Sequence, residues 1–398
     1  AWSVGDLDEA DRLQGRSLEL ARELGGPDEV FRATGDLGLI AVDRGDLERA
    51  RTLFSEGLAV ARDGDNPGDT AVALANLAHA TPMPEQETLI LDALHIHRQT
   101  GRLTGIAHMS LMLAWLNLSD GDLDSGREWF RAAQQGFEQL HNQGAQVEAL
   151  CGLADVALQR GDPAAADASV ARAEALAAHI DWPGAGAMAL TRRALSRRVD
   201  DPAGCLEALA NAGDAWGLSG LEAGLAENLG MRAKVALDLG NAAAARESCV
   251  ASATLWKALR RSAGNAWVST IAAEVERLEN GPEAALPHYG RALAALVDSR
   301  RDPHTIDGFL APGPGFRAQL IDALERAALC SVAAGGETEA LAALTAASAE
   351  RSRTGIVPSP RLEALYGAAG LAASNEQPSV GSFEDALRAA GVALGGMD

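Results

Sequence analysis

The chain has 398 residues, of which 34 are basic and 55 acidic, and its formal net charge is −21. Such an acidic surface argues against direct binding to nucleic acid, because phosphates would be repelled. Hydrophobic residues make up 47% of the chain and aromatic residues only 4%, which predicts a core built from alanine and leucine. The sequence shows neither a signal peptide nor an apolar stretch of about eighteen residues, so no membrane segment is predicted.

A turn signal recurs about every forty residues along most of the chain, and self-similarity of this kind is the signature of stacked helical repeats. Each interval is therefore predicted to hold an antiparallel pair of helices. The clearest signals are Gly-Asp pairs at 5–6, 45–46, 121–122 and 161–162, and weaker signals lie at 82–84, 200–202, 240–241 and 280–282.

The chain begins at Ala1, immediately before the first turn signal and without an initiator methionine. The first helix pair is then incomplete, and we expect the sequence to be a segment of a longer protein. The helix that begins near Leu7 would present an uncovered apolar face, of the kind that marks interfaces. Self-association through this open end is predicted, and the face comprises Leu7, Leu13, Leu18 and Leu20.

Small and large residues recur at fixed distances from each turn. Around Gly45, small residues lie at Gly38, Ala50 and Gly57, and an aromatic ring lies at Phe54. Three later units keep these offsets, with Gly126, Phe130 and Ala133, with Ala154, Ala166, Val170 and Ala173, and with Ala273, Ala285, Tyr289 and Ala292. The pattern resembles the tetratricopeptide repeat, in which small residues lie where two helices cross and a large residue fills the groove between them.

The resemblance implies an all-α fold, a right-handed superhelical solenoid of antiparallel helix pairs. The period here is about forty residues rather than about thirty-four, so each pair is longer than in the family. The position that is often tryptophan in the family is Thr34, Ser110 or Leu150. Longer repeats of this kind resemble the arms of large signal-transduction ATPases of bacteria, including the LuxR-type and antibiotic-regulator branches.

Three regions are predicted. Residues 1–301 form the repeats, residues 302–316 a loop insertion rich in proline and glycine, and residues 317–398 the last repeats and C-terminal capping helices. The loop is either a tolerated surface insertion or a functional segment. The final region is similar to the end of LuxR-type arms, with Arg-Thr-Gly at 353–355, Pro-Ser-Pro at 358–360 and a helix signal at 382–387.

No motif for catalysis, nucleotide binding or metal binding is recognised, and no cofactor is expected. Neither of the two lysines, Lys234 and Lys257, follows a glycine-rich phosphate-binding loop. His95 and His97 are two residues apart and would point to different faces of a helix. The cysteines are far apart in sequence, which predicts buried free thiols and a cytoplasmic location. They are Cys151, Cys205, Cys249 and Cys330.

One basic cluster interrupts the acidic chain, and it comprises Arg192, Arg193, Arg197 and Arg198. It has two interpretations. The arginines form either a solvated stripe that pairs with residues 200–201 and nearby carboxylates, or a clamp for an anionic ligand. The second interpretation rests on the bidentate binding of carboxylates by guanidinium groups.

In the tetratricopeptide family, the first helix of each pair lines a concave groove. The resemblance implies inner positions for His108, Trp115, Glu148, Asp155, Arg197, Glu227, Lys234, Trp267 and Glu274. From this row we predict a partner-binding patch of six residues, Trp115, Asp155, Arg197, Lys234, Trp267 and Glu274. The alternative is that these residues form salt bridges and packing between neighbouring repeats.

The favoured hypothesis for function is a non-enzymatic interaction or sensor arm of a bacterial transcriptional or signalling ATPase. It would bind a protein, a peptide or a small effector and control upstream domains. A stand-alone tetratricopeptide adaptor is the alternative, and a helical enzyme with its active site in the groove is a third. A phosphate-binding loop upstream would favour the first, a complete first helix pair with a cap the second, and a buried cluster of perturbed carboxylates the third.

Overall fold

The computed structural model describes residues 7–82, 84–299, 316–335 and 338–358, together with Phe383 and Ala386. Within these ranges the regular structure is α-helical and contains no strand. The helices are α1 (Leu7–Leu24), α2 (Pro27–Asp43), α3 (Leu47–Asp63), α4 (Pro67–Ala78), α5 (Glu85–Gln99), α6 (Leu103–Asp120), α7 (Leu123–Gln139), α8 (Gln143–Gln159), α9 (Pro163–Ala177), α10 (Pro183–Ser196), α11 (Pro202–Ser219), α12 (Glu222–Asp238), α13 (Ala242–Ala258), α14 (Ser262–Asn280), α15 (Pro282–Ser299), α16 (Phe316–Ala333) and α17 (Thr338–Thr354).

The helices stack as successive antiparallel pairs, beginning with α2 and α3. Each helix packs on the next along the chain, and most even-numbered helices also contact the next even-numbered one, as α2 does α4, α6 does α8, α8 does α10, α10 does α12 and α12 does α14. The even-numbered helices therefore form the inner layer of the array, and the odd-numbered helices the outer layer. The predicted all-α solenoid is confirmed.

The Gly-Asp turns end one helix and begin the next. Gly45 has a φ of 73° and Gly121 a φ of 81°, a left-handed conformation that glycine adopts without steric penalty. The carboxylate of Asp122 then accepts a hydrogen bond from the Ser125 amide at 3.0 Å, and Asp46 caps α3 in the same way. Each half of the signal thus has its own physical role.

The small residues of the repeat make room for the large ones. A Cβ atom at Gly38 would lie 2.2 Å from the Phe54 ring, and one at Gly152 would lie 2.2 Å from the Phe130 ring. Both rings are buried, as is Tyr289 at the matching position. The predicted packing positions are confirmed, because glycine allows the ring of one helix to touch the backbone of another.

Helix α16 of the C-terminal pair packs on α15 and also contacts α6, which lies much earlier in the chain. Arg317, at the start of α16, donates to the carboxylate of Asp120 at the end of α6, at 3.0 Å. The Val357 amide donates to the Gln159 carbonyl at the end of α8, at 2.9 Å. One hydrophobic cluster joins α6 and α7 to α14–α17. We call this contact the closure.

The N-terminal end differs from the sequence-based expectation. Leu18 is buried in a cluster with Val30 of α2, so α2 already covers part of the face predicted to be open. Leu13 and Leu20 of α1 are exposed, because they lie on the side of the helix turned from α2. The side chain of Leu7 and the loop at 302–315 lie outside the described residues, and Phe316 is the first residue of α16.

Candidate functional site

A cavity of about 290 Å³ lies where the inner helices meet the C-terminal pair. Helices α8, α10 and α12 line one side, and α16, α17 and residues 356–358 line the other. Its volume is near the lower end of pockets that hold small molecules. The wall is largely apolar, with Leu158, Leu195, Val199, Met231, Ile356 and Val357. We call it the closure cavity.

A row of buried charged side chains, which we call the ladder, connects the three inner helices α8, α10 and α12. Arg192 of α10 lies with its Nη2 atom 3.0 Å from Asp155 of α8 and 3.5 Å from Glu227 of α12. Burial raises the pKa of Asp155 even though Arg192 opposes the shift. Burial alone would lower the pKa of Arg192, but the two carboxylates outweigh it and raise that pKa. The ladder fixes the three helices relative to one another.

Asp322 of α16 lies near three cationic side chains, Arg326, Lys234 and Arg351. Its Oδ2 atom lies 3.1 Å from Arg326 Nε and 3.5 Å from Lys234 Nζ. Burial would raise its pKa, but Arg326, Lys234 and Arg351 hold the pKa of Asp322 well below its usual range. Arg351 also pairs with Glu325, with its Nε 2.9 Å from Oε1. Burial lowers the pKa of Lys234 by more than Asp322 raises it.

Glu274 of α14 shares Arg326 with Asp322, and three side chains compensate its charge. Arg277 Nη2 is 2.7 Å and Arg326 Nη1 3.5 Å from its Oε1 atom, and the Tyr289 hydroxyl donates to Oε2 at 2.6 Å. Burial would raise the pKa of Glu274, but the Arg277 hydrogen bond and the Arg326 charge lower it to about 2. Glu274 is therefore ionised in the folded protein.

Two side chains that line the closure cavity keep polar atoms without a partner. Arg198 donates from Nε to Asp238 at 2.6 Å, but its buried Nη2 has no hydrogen-bond partner. Gln159 is 7% exposed, and neither its amide nitrogen nor its amide oxygen is hydrogen-bonded. Buried polar groups without partners are uncommon and costly.

Of the six residues of the predicted patch, the structure places three at or beside the closure cavity and three elsewhere. Asp155 and Lys234 line the closure cavity, and Glu274 adjoins it beside Lys234 and Asp322. These three come from α8, α12 and α14, as the inner-helix register predicts.

The other three residues do not share that surface, which corrects the picture of one exposed patch. Trp115 is 4% exposed, and its indole nitrogen donates to Glu148 at 3.2 Å. Trp267 is 1% exposed, and its ring packs against Gly230. Arg197 is exposed and follows the last residue of α10 as its C-cap. Trp267 is a core residue because its ring fills the space beside Gly230, and Trp115 is one because it packs edge-to-face on Phe130. Neither ring is exposed to a partner, and their role in binding stays a prediction.

Arg192 and Arg198 of the basic cluster are candidate functional residues, although the inner positions implied by the family resemblance did not include them. The pairing interpretation of the cluster fits the structure, but the partners are carboxylates of other helices rather than residues 200–201. Arg193 likewise pairs with Asp167 at 3.0 Å and Glu174 at 2.7 Å. No local sequence pattern predicts Asp322 and Arg351 as site residues, because only the closure brings α16 and α17 to this site.

The cysteines and histidines take structural positions. All four cysteines are free and buried, as predicted, and burial raises the pKa of the Cys151 thiol to about 12. His97 is buried and His95 exposed, in line with their predicted different faces. Over the described residues, no group of three or more histidine, cysteine or acidic side chains is arranged to hold a metal ion. None of the described helices combines the length and apolar character needed to cross a membrane.

Comparisons with known proteins agree with the repeat architecture. Residues 1–63 match the family model described as tetratricopeptide repeat, whereas a search of the curated proteins found no match. A solved structure titled Rap protein complexed with Competence and Sporulation Factor has a TM-score of 0.52 and 12% identity, covering 94% of this chain and 100% of that one. This likeness concerns the fold.

Two other solved structures are more distant in shape. BtubC (BKLC) from P. vanneervenii has a TM-score of 0.39 at 21% identity, covering 60% of this chain and 92% of that chain. A STAND protein with a tetratricopeptide repeat sensor, PH0952 from Pyrococcus horikoshii, has a TM-score of 0.43 at 12% identity. The match covers 80% of this chain and spans about half, 52%, of that protein.

Proposed function

We propose that this chain is a non-enzymatic interaction and sensor arm of a bacterial transcriptional or signalling ATPase. Its tetratricopeptide match and all-α solenoid favour a role in binding proteins or peptides. The observation that carries the sensor role is the closure cavity, which lies between the inner helices and the C-terminal pair. A ligand there contacts both sides of the closure at once.

Because the cavity lies between the two sides of the closure, ligand binding there can change the equilibrium between the closed and open states of the closure. A ligand shifts that balance by the difference in its affinity for the two states. Asp155 and Asp322 are already engaged in ion pairs with arginines, which favours binding over general acid–base catalysis. The altered closure would then act on the domains attached to the arm.

A stand-alone adaptor that binds a peptide or protein is the second candidate. It is supported by the tetratricopeptide match and by the fold-level likeness to a Rap protein whose title describes a complex with Competence and Sporulation Factor. The adaptor differs from the sensor arm in one respect: its partner would bind without a change in the closure.

Photocrosslinking from the cavity rim tests the proposal. A photoreactive amino acid replaces Val199, which is 65% exposed and lines the cavity, in cells that make the full-length protein. Leu218 on the outer helix α11, 88% exposed, is the matched control. We expect a defined protein or small-molecule adduct at position 199 only, identified by intact mass. Equal adducts at both positions, or none at 199, would overturn the proposal.

A further inference from the structure

The closure cavity combines an apolar wall with three cations near the carboxylate of Asp322, two of which, Arg326 and Arg351, also pair with Glu274 and Glu325. Lys234, Arg326 and Arg351 all act on Asp322, and Lys234 has a single ion-pair contact, at the long distance of 3.5 Å. Its side chain is 12% exposed, so little water reaches the ammonium group. An ammonium so placed gains from a second oxygen anion, because charge-assisted hydrogen bonds strengthen where water is scarce.

The unpaired donors lie on the same cavity. Arg198 has a guanidinium nitrogen without a partner, and Gln159, more than nine-tenths buried, has an amide without one. Both line the closure cavity together with Lys234. Three donors, from α8, from the turn that follows α10 and from α12, therefore border one space, and a single acceptor group can serve more than one of them.

We infer that the closure cavity binds a small monocarboxylate with an apolar body, whose carboxylate is held by Lys234 and Arg198. This inference deepens the proposed sensor function, on which its regulatory meaning rests, by naming the class of ligand.

The volume of the closure cavity restricts the size of this ligand, and the charges around the cavity restrict its charge. A space of about 290 Å³ suits a medium-chain or aromatic acid rather than an extended peptide. The nearby carboxylate of Asp322 would repel a second negative charge on the ligand, which disfavours phosphate and dicarboxylates. Leu158, Leu195 and Met231 supply the surface for the apolar body.

Calorimetric titration of the full chain tests the inference with hexanoate, octanoate and phenylacetate as probes. Octanamide, which keeps the length and loses the charge, and inorganic phosphate are the controls. We expect the acids to bind and both controls to bind at least about tenfold more weakly, the size of one lost charge-assisted hydrogen bond. Equal binding of octanamide and octanoate, or no binding of any acid, would overturn the inference.

The two lysines of the chain give a matched pair of variants. Lys234→Met should weaken acid binding about tenfold, whereas Lys257→Met, at an exposed position of α13, should leave it unchanged. In unmodified protein, an amine-reactive ester should label Lys234 less when octanoate is present and label Lys257 equally with and without it. Loss of affinity in both variants, or no protection of Lys234, would contradict the site.

Val199→Trp decides the question if Lys234→Met fails to fold. The new ring would fill the cavity mouth from an exposed position, so binding should be lost while the helical circular dichroism is kept. Leu218→Trp is its control and should bind as the parent does. A Val199→Trp protein that binds octanoate normally would place the acid elsewhere and refute the inference.

The experiments test the carboxylate site and the interaction or sensor role independently of each other. A protein adduct at position 199 without acid binding leaves the interaction arm standing and refutes the carboxylate site. Acid binding that leaves amide hydrogen exchange of α16 and α17 unchanged keeps the site and refutes the sensor role.

Discussion

Glu274 is ionised and 1% exposed because its neighbours replace the water it has lost. Arg277, Arg326 and Tyr289 each contact its carboxylate. An arginine from α16 and a hydroxyl from α15 thus meet a carboxylate of α14. Removing one member of such a buried group leaves the others uncompensated, so we expect a substitution of any one of them to destabilise the fold.

Glu274→Gln should lower the free energy of unfolding by about 3 kcal/mol at neutral pH. The folded pKa of Glu274 is about 2 and its ordinary value 4.5. The stabilisation is therefore present above about pH 5 and is lost as the pH falls from 4.5 toward 2. Urea unfolding over this pH range should show the wild-type advantage shrinking.

Glu247→Gln, at an exposed position of α13, serves as the control and should change stability little at any pH. If the wild type kept a constant stability advantage over Glu274→Gln down to about pH 3, the buried charge would not be the source of that advantage. This pH lies on the order of one unit below the ordinary pKa of a glutamate.

At the scale of the element, each repeat depends on a ring from one helix and a small residue from another. Phe130 of α7 packs on Gly152 of α8, the first helix of the next pair. The same contact also places Trp115, whose ring meets Phe130 edge-to-face at 4.8 Å. Ring packing within a pair and between neighbouring pairs therefore together sets the position of the inner helices.

Phe130→Ala should cost about 3–5 kcal/mol, as for other large-to-small changes in a core. Gly152→Ala should also destabilise, since its Cβ would lie 2.2 Å from the ring. Gly186→Ala in α10, where a Cβ meets nothing within 4 Å, should be neutral or stabilising, because alanine favours helix. Thermal unfolding measures all three.

The penalty of Gly152→Ala should shrink in the Phe130→Ala background, because the clash is then absent. Additive losses in the double variant would contradict the ring contact.

At the scale of the molecule, the closure turns a row of repeats into an arc with a cavity. Regular solenoids have contacts only between neighbouring repeats, but Arg317 reaches Asp120, 197 residues away. Lys234 and Asp322 form a second bridge, 88 residues apart. Contacts of this kind can break while each repeat stays folded, so the closure is the part of the array best suited to regulation.

Arg317→Ala should loosen the closure without unfolding the array. Arg317 bridges Asp120 of α6 and Glu350 of α17, so its loss should raise amide hydrogen exchange in α16 and α17 and leave α2–α5 protected. Arg353→Ala removes a guanidinium that pairs with the same Glu350 within α17 and should have little effect. Unchanged exchange in α16 and α17 of Arg317→Ala would show that the other contacts suffice.

The sequence by itself determined the helix pairs, their turns and their packing positions, because these depend on residues within one or two repeats of each other. Gly121 and Asp122 end and begin helices through local backbone geometry, and the spacing from Gly121 to Phe130 is enough to predict a buried ring. Asp155 and Lys234 lie on the inner helices α8 and α12, and their role in binding a partner stays a prediction.

Only the tertiary structure decided which of those inner residues meet and what else joins them. Trp267 is core rather than surface because Gly230 of α12 receives its ring. Arg198 and Lys234 border a cavity because α16 brings Asp322 across from 88 residues beyond Lys234. A repeat pattern carries no information on where a later pair returns, since that depends on the accumulated rotation of every repeat between them.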